Sequence, residues 1–342
     1  LRRQFGLGRT LLQAGSLLQF GEVTSQRRID NDHAHRLIGL LRELGRRRLF
    51  DTFVGREDHW LPPDNYQEYR VAAVAHRTSP TNMGLALLAN LSAYDFGYIP
   101  AGQLIERTAR TLETMAGLER HRGHFYNWYD TRTLQPLRPQ YVSSVDSGNL
   151  AGSLLTLQAG LTELKDQPVL SANTFQGLQD TLQVLAEHLP ALPAPDLAKQ
   201  IRFLQDTLHA LTLNGQPQTL IAADSALDEI HRTGGGLVAL LPADIDIDGE
   251  LYYWAQAFDR QCCALRDDLG MLVPEPRQFS NMPTLAELAR DSASYAEARS
   301  SAGAAALAVP GYKAAVERLA SIDDLVNRCR ELAVMDFEFL YD

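Results

Sequence analysis

The stretch Ser79-Pro80-Thr81-Asn82-Met83-Gly84-Leu85-Ala86-Leu87-Leu88-Ala89-Asn90-Leu91-Ser92-Ala93-Tyr94 decides the fold class. Ser79 is a side-chain cap for a helix, and Pro80 suits the first helical position, where a missing N–H costs nothing. No charge appears from Met83 to Tyr94, and Leu85, Leu87, Leu88 and Leu91 cover more than one face. A helix apolar nearly all round is a buried helix. Gly97 and Pro100 then turn the chain. Over 101–120, Leu104, Ile105, Thr108, Leu112 and Met115 form one stripe, with Glu106, Arg107, Arg110 and Glu113 on the remainder, which predicts a half-solvated outer helix. Residues 147–162 again carry no charge before Glu163, so a second buried helix is expected. Buried, amphipathic, buried is the alternation of concentric helix rings.

Three loop stretches attach to these helices. They are Arg77-Thr78-Ser79-Pro80-Thr81-Asn82, then Arg122-Gly123-His124-Phe125-Tyr126-Asn127-Trp128-Tyr129-Asp130, then Tyr141-Val142-Ser143-Ser144-Val145-Asp146-Ser147-Gly148-Asn149. An inner and an outer helix form a hairpin, so the loop before Pro80 and the loops between Arg120 and Ser147 are expected at one end. Amides and carboxylates beside flat aromatic rings are what a carbohydrate cleft needs, because a sugar offers hydroxyls on its rim and C–H groups on its faces. Each loop also has a plainer reading as a cap or as hairpin packing; three at one end favour a binding rim.

Composition narrows the classes. At 342 residues the chain can bury one large core or two modest ones. A net charge of −10 with interspersed signs argues against a nucleic-acid partner, and Arg46-Arg47-Arg48 reads as a solvated helix face. Three cysteines, with Cys262 and Cys263 adjacent, give neither a disulfide framework nor a metal spacing, which fits a reducing compartment. No uncharged stretch reaches the ~20 residues of a membrane span, and no signal peptide is visible, so no membrane contact is expected from this segment.

Outward from the rim the chain is helical by pattern. Leu37, Leu40, Leu41, Leu44 and Leu49 recur at helical spacing over 32–53, and Trp60-Leu61-Pro62-Pro63-Asp64-Asn65 must be loop. Leu251, Trp254, Phe258, Cys262, Leu265 and Leu269 mark one amphipathic helix, and Ile322, Leu325, Val326, Cys329 and Leu332 another. The end, Met335-Asp336-Phe337-Glu338-Phe339-Leu340-Tyr341-Asp342, is apolar with nothing left to pack against. The expected organisation is an unassigned segment 1–30, toroid helices with rim loops over 31–165, a helical insertion over 166–300, and a return to the toroid over 301–342.

Several motifs fail on inspection. Asp244-Ile245-Asp246-Ile247-Asp248-Gly249 matches the first half of an EF-hand loop, but its twelfth position is Ala255, so Asp248 is read as a cap for the next helix. His121 and His124 lack a third ligand nearby in sequence. Gly234-Gly235-Gly236 is a turn without the Lys-Ser/Thr of a phosphate loop. No metal or other cofactor is expected.

The runs Glu57-Asp58-His59-Trp60-Leu61-Pro62-Pro63-Asp64-Asn65-Tyr66-Gln67-Glu68, His76-Arg77-Thr78-Ser79-Pro80-Thr81-Asn82-Met83-Gly84 and Arg122 through Thr131 resemble the middle region of bacterial cyclic β-1,2-glucan synthases. Tyr141 through Gly152 and the Met-Asp-Phe and Phe-Leu-Tyr-Asp motifs of the end continue the likeness, which covers about 45–165 and 320–342. The resemblance implies a glucoamylase-like (α/α)6 toroid inside a large synthase anchored in the inner membrane, this segment lying on the cytoplasmic side. In that family one domain elongates a β-1,2-glucan from UDP-glucose, the glucoamylase-like domain closes the ring by transglycosylation, and a phosphorylase-like domain trims length. The family's catalytic glutamates fall after the Phe-Leu-Tyr-Asp motif, beyond Asp342.

The combined expectation is an all-α, partial (α/α)6 toroid that binds a β-glucan and belongs with the remaining domains of a larger synthase. Alone it would bind without turnover. Trp60 and Trp128 are the expected sugar platforms. Asp64, Asn65, Gln67, Arg77, Thr78, Ser79, Asn82, His124, Asn127, Asp130, Asp146, Ser147 and Asn149 supply the candidate polar contacts. Two other classes stay open: a hydrolase or phosphorylase of another glucan with Asp64 and Asp146 as its carboxyl pair, and a non-catalytic helical scaffold.

Overall fold

The structure, a computed structural model, describes residues 52–67, 73–171, 173–213, 217–273, 281–290 and 310–340. The described chain is all-α in class: eight long helices carry it, and the six strands are two residues each. The helix expected over 32–53, with Arg46-Arg47-Arg48, lies outside the described residues but for 52 and 53. The described residues cluster in two compact units. One holds those up to Leu91, Glu106–Leu161 and those from Asp324; the other holds Ser92–Ile105 and Thr162–Asp323.

In the first unit, helix α1 (Pro80–Asp95) starts where the sequence predicts. Ser79 Oγ accepts from the Asn82 N–H at 3.2 Å, satisfying one of the free donors of the first turn. On α2 (Ala101–Gly117) the stripe Leu104, Ile105, Thr108, Leu112, Met115 is buried, while Glu106, Arg110 and Glu113 face water. Helix α3 (Ser144–Leu164) buries Leu150, Leu154, Leu157 and Leu161. It is not buried all round, and this corrects the expectation. Val145 is 69% and Leu155 58% exposed, with Gly148, Thr156 and Ala159 beside them. Absence of charge there accompanies an open face of neutral residues, Val145 and Leu155 among them, rather than burial on every side.

Helices α1 and α3 run parallel. Thr81 meets Asp146, Gly84 meets Leu150 and Ser153, and Gly160 meets Leu91. A Cβ at Gly84 would stand 2.7 Å from Ser153 Oγ and 2.8 Å from Ser153 Cβ. The glycine is what lets the two backbones close.

Short strands dress the N-terminal ends of these helices. Strand β1 (Tyr66–Gln67) pairs antiparallel with β2 (Ala73–Val74), β3 (Arg77–Thr78) with β6 (Tyr129–Asp130), and β4 (Arg120–His121) with β5 (His124–Phe125). The β4–β5 turn is Arg122-Gly123 with φ of 51° and 84°, the two-residue left-handed hairpin turn. The apolar end also finds partners, contrary to expectation. Phe337 meets the His124 ring edge-on at 5.2 Å, and Phe339 lies 5.1 Å from His121 and 4.8 Å from the Arg122 guanidinium. The β4–β5 hairpin supplies the surface that chain order concealed.

The second unit contains α4 (Thr174–Glu187), α5 (Pro195–Leu213), α6 (Leu220–Gly234) and α7 (Glu250–Leu272). Helix α4 touches α5 and α7, and α6 touches α5 and α7, closing a four-helix bundle. Its core is Leu178, Leu182, Leu204, Leu227, Phe258 and Leu265. The turn before α7 differs from the expectation of an Asp248 cap. Gly249 occupies the N-cap with no side-chain bond, and Asp246 makes the turn by accepting from the Asp248 N–H at 3.0 Å. Helix α8 (Pro310–Ala333) buries Ile322, Leu325, Val326, Cys329 and Leu332 as predicted. Arg318 of α8 grips Asp268 of α7 with two bonds of 2.7 and 3.0 Å, both side chains buried.

In a helix interior Gly→Ala ordinarily adds up to ~1 kcal/mol of stability. Gly84→Ala is expected instead to cost about 1–3 kcal/mol through overpacking. Urea unfolding of Gly84→Ala, Ser153→Gly and the double variant checks this, with the double costing less than the sum of the singles.

Candidate functional site

The three polar-aromatic stretches meet at the N-terminal ends of α1 and α3, all within the first unit. In the β3–β6 pair Arg77 stands opposite Asp130 and Thr78 opposite Tyr129. The Arg77 guanidinium donates from Nε and a terminal nitrogen to Asp64 Oδ2 at 3.1 and 2.9 Å, and its face lies 4.7 Å from the Trp128 ring centre. Such an exposed ion pair contributes at most about 1 kcal/mol. What it does is orient a cation against an indole.

Asp146 is the hub. It sits in the first turn of α3, where Ser143 Oγ accepts from its N–H at 3.2 Å and the helix end favours an anion. Thr81 Oγ1 donates to Asp146 Oδ1 at 2.5 Å, and Asn149 Nδ2 donates to Thr81 Oγ1 at 3.2 Å. The Asn127 amide completes the array in the orientation its neighbours require. Its Nδ2 donates to Asp146 Oδ2 at 3.0 Å, while its Oδ1 accepts from Tyr141 Oη at 2.7 Å and from Trp128 Nε1. Each of the three stretches thus contributes to one directed network. Thr81 and Asn127 are buried; Asp146, Asn149 and Trp128 are half-buried and Tyr141 is exposed. Thr81 and Tyr141 were absent from the candidates named from sequence. Their place inside the motifs was the signal, but a threonine in a helix's first turn looks like a capping residue until its partner is known.

A second network lies beneath Trp60. His59 and Trp60 both adopt left-handed backbone, φ 53° and 63°, which costs on the order of 1–3 kcal/mol per residue and must be held by neighbours. Thr114 Oγ1 donates to the His59 carbonyl at 2.7 Å and Thr111 Oγ1 to the Trp60 carbonyl at 3.1 Å. His59 Nδ1 donates to the Thr131 carbonyl at 2.9 Å. Asp58, buried, accepts from Thr131 Oγ1 at 2.5 Å and from His76 Nδ1 at 2.7 Å. Arg132 lies 2.8 Å from His76 Nε2. A guanidinium has no lone pair to offer, so Nε2 accepts and Nδ1 carries the proton toward Asp58. Arg110 covers one face of Trp60 at 4.5 Å.

The remaining candidates divide by accessibility. His124 is fully buried, with Nε2 donating to the Asp336 carbonyl at 2.7 Å and Nδ1 2.9 Å from the buried Ser147 Oγ; both tie the loop to α3 and the chain end. Ser79 is the α1 cap. Asn65 is half-buried, its carbonyl accepting from the Ala75 N–H at 2.9 Å, and Gln67 is exposed on β1. Thr78 Oγ1 and both amide atoms of Asn82 are buried without a partner among the described residues, an arrangement that costs roughly 1–3 kcal/mol per group when nothing fills it.

Asp130 shapes the 130–135 turn, accepting from the N–H groups of Thr133 at 2.8 Å and Arg132 at 2.9 Å. The Thr133 N–H is the largest cause holding its carboxyl below the usual range; burial opposes it, and the Arg132 N–H, the Thr133 hydroxyl and the Arg132 charge assist. A depressed carboxylate stabilises the fold above about pH 4 and loses that contribution as pH falls through its lowered value. The stability difference between the native chain and Asp130→Asn is therefore expected to be greatest near neutrality and to shrink below about pH 4, as read from denaturation midpoints across pH.

No family model matches this chain. Over 168 residues, 48% of the chain, it is 42% identical to cyclic beta-(1,2)-glucan synthase NdvB of Rhizobium meliloti (strain 1021), and the aligned stretch is 6% of that protein. Over nearly half its length this chain is therefore related to a short segment of a cyclic β-1,2-glucan synthase.

Proposed function

We infer that the rim at the N-terminal ends of α1 and α3 binds a β-1,2-glucan, as part of a larger synthase that closes the glucan into a ring. The hydrogen-bonded array of Thr81, Asn127, Asp146 and Asn149 beside Trp128 carries this reading. It holds amide and carboxylate groups in set directions next to an aromatic ring, which is the chemistry that sugar hydroxyls and C–H faces require. Two neighbouring parallel helices separated in sequence by an outer, half-solvated one support an (α/α)6 toroid, glucoamylase-like in kind. In this reading Trp60, Trp128 and Tyr141 line the sugar faces, and Arg77, Asp64, Asn65, Gln67 and Asn149 reach hydroxyls. Thr78 and Asn82 lie buried beneath the rim, out of reach of a ligand, and Ser79, His124, Asp130 and Ser147 hold the loops in place.

The parent reaction is a retaining transglycosylation, in which a sugar hydroxyl in place of water releases a covalent glucosyl intermediate. Binding and positioning are the roles assigned to the rim. Both Asp146 oxygens already accept hydrogen bonds, and Asp64 is engaged by Arg77, so neither stands ready to deliver a proton. This weighs against the pair as the acid and base of a hydrolase. The same reading places the segment on the cytoplasmic side of a bacterial inner membrane, tethered through other domains; among the described residues no helix is long and apolar enough to cross a membrane.

Thermal unfolding with millimolar linear β-1,2-glucan, against a β-1,3-glucan control, tests the reading. Saturation near 100 times Kd stabilises by about 2.7 kcal/mol, so a rise in Tm of several degrees is expected with the β-1,2 polymer alone. Trp128→Ala and Asn149→Ala should abolish the rise, and no reducing ends should appear. A native chain that melts sharply with no shift, or that releases reducing ends, overturns it.

A further inference from the structure

We propose that His231, Asp259 and Cys263 form a binding site for a zinc-class divalent cation in the second unit. His231 lies in the last turn of α6, and Asp259 and Cys263 lie one turn apart on α7, the helix packed against it. Cys263 Sγ is 3.8 Å from His231 Nδ1 and 3.9 Å from Asp259 Oδ1. One ligand atom from each side chain falls within 4.8 Å of the others. A tetrahedral zinc, about 2.3 Å from sulfur and about 2.0–2.2 Å from nitrogen or oxygen, places the sulfur about 3.5 Å from each co-ligand. Closing the two sulfur distances around the ion needs a few tenths of an ångström, and side-chain rotation brings the His231 and Asp259 atoms together from within 4.8 Å.

The donor set selects the ion. One thiolate, one imidazole and one carboxylate suit a borderline cation such as zinc and are a poor cage for calcium or magnesium, which prefer oxygen. All three residues are half-buried, so an ion has an entry path. Gly235 flanks the cluster: a Cβ there would stand 3.3 Å from Asp259 Oδ1 and 4.0 Å from the His231 Cε1. The His231 carbonyl, at 3.1 Å from that position, is the closest atom, so the absence of a side chain keeps the flank narrow without blocking it. Arg266, the basic group of α7 whose charge acts on Cys263, is paired with Asp228 at 2.5 Å. As a plain hydrogen-bonded cluster the trio gains little, because a thiol is a weak donor and both contacts are long. A reactive-thiol role fits less well, since burial and then the Asp259 and Asp267 carboxylates push the Cys263 thiol up. Bound, the ion would clamp the end of α6 to α7.

The site is independent of the glucan reading and is tested apart from it. The whole chain, kept reduced with a phosphine, is titrated with cobalt(II) alone and then with zinc(II). One equivalent of cobalt should produce a thiolate-to-metal charge-transfer band that zinc abolishes, and zinc should raise Tm. Cys263→Ser should remove the band, and Cys263→Ser, His231→Gln and Asp259→Asn should each weaken zinc binding by more than the about 10–100-fold that losing an outer-shell partner costs. Cys262→Ala, at a buried neighbouring cysteine, should keep the band. A band that survives Cys263→Ser, or zinc affinity equal in the native chain and that variant, overturns the proposal.

Discussion

The close parallel approach of α1 and α3 is the constraint on which the rim depends. Gly84 and Gly160 remove side chains where Ser153 and Leu91 press in, and this puts Thr81 within hydrogen-bond reach of Asp146. A larger residue at Gly84 would push the helix starts apart and break the Thr81–Asp146–Asn149 link. Packing at the level of one methyl group therefore governs the polar geometry above it. The loops add a second level of restraint: Asn127 both pairs its backbone with Tyr141 and supplies an amide to Asp146.

Strain sits beside this rim. Consecutive left-handed residues at His59 and Trp60 are held by threonines of α2 and by the buried Asp58 network. The device delivers Trp60 to a defined position with Arg110 against one face. Held by these bonds, Trp60 has little conformational freedom left to lose.

The second unit is organised differently. Its four helices bury a leucine-rich core, and its polar interior is concentrated in a few side-chain pairs: Asp268 with Arg318, and Thr181 with Gln261 at 2.7 Å. Buried pairs like these help specify which faces meet, since a mispaired charge would be left unsatisfied. The His231–Asp259–Cys263 cluster lies apart from them, at a half-buried seam where α6 meets α7.

Sequence by itself determined the all-α class, the Ser79-Pro80 start of α1, the buried stripes of α2, α7 and α8, and the meeting of the three loop stretches. These follow from local rules: a cap needs one side chain, and a stripe needs only the helical period. It misjudged α3, because lack of charge does not reveal which side of a helix another element covers. It also missed the partners of the apolar end, since Phe337 and Phe339 pack on His124 and His121, more than two hundred residues earlier. Tertiary structure alone decided that Thr81 bonds Asp146 and that His231 approaches Cys263. Both contacts join residues from separate helices, and their geometry is set by how closely two backbones pack, which no local period encodes.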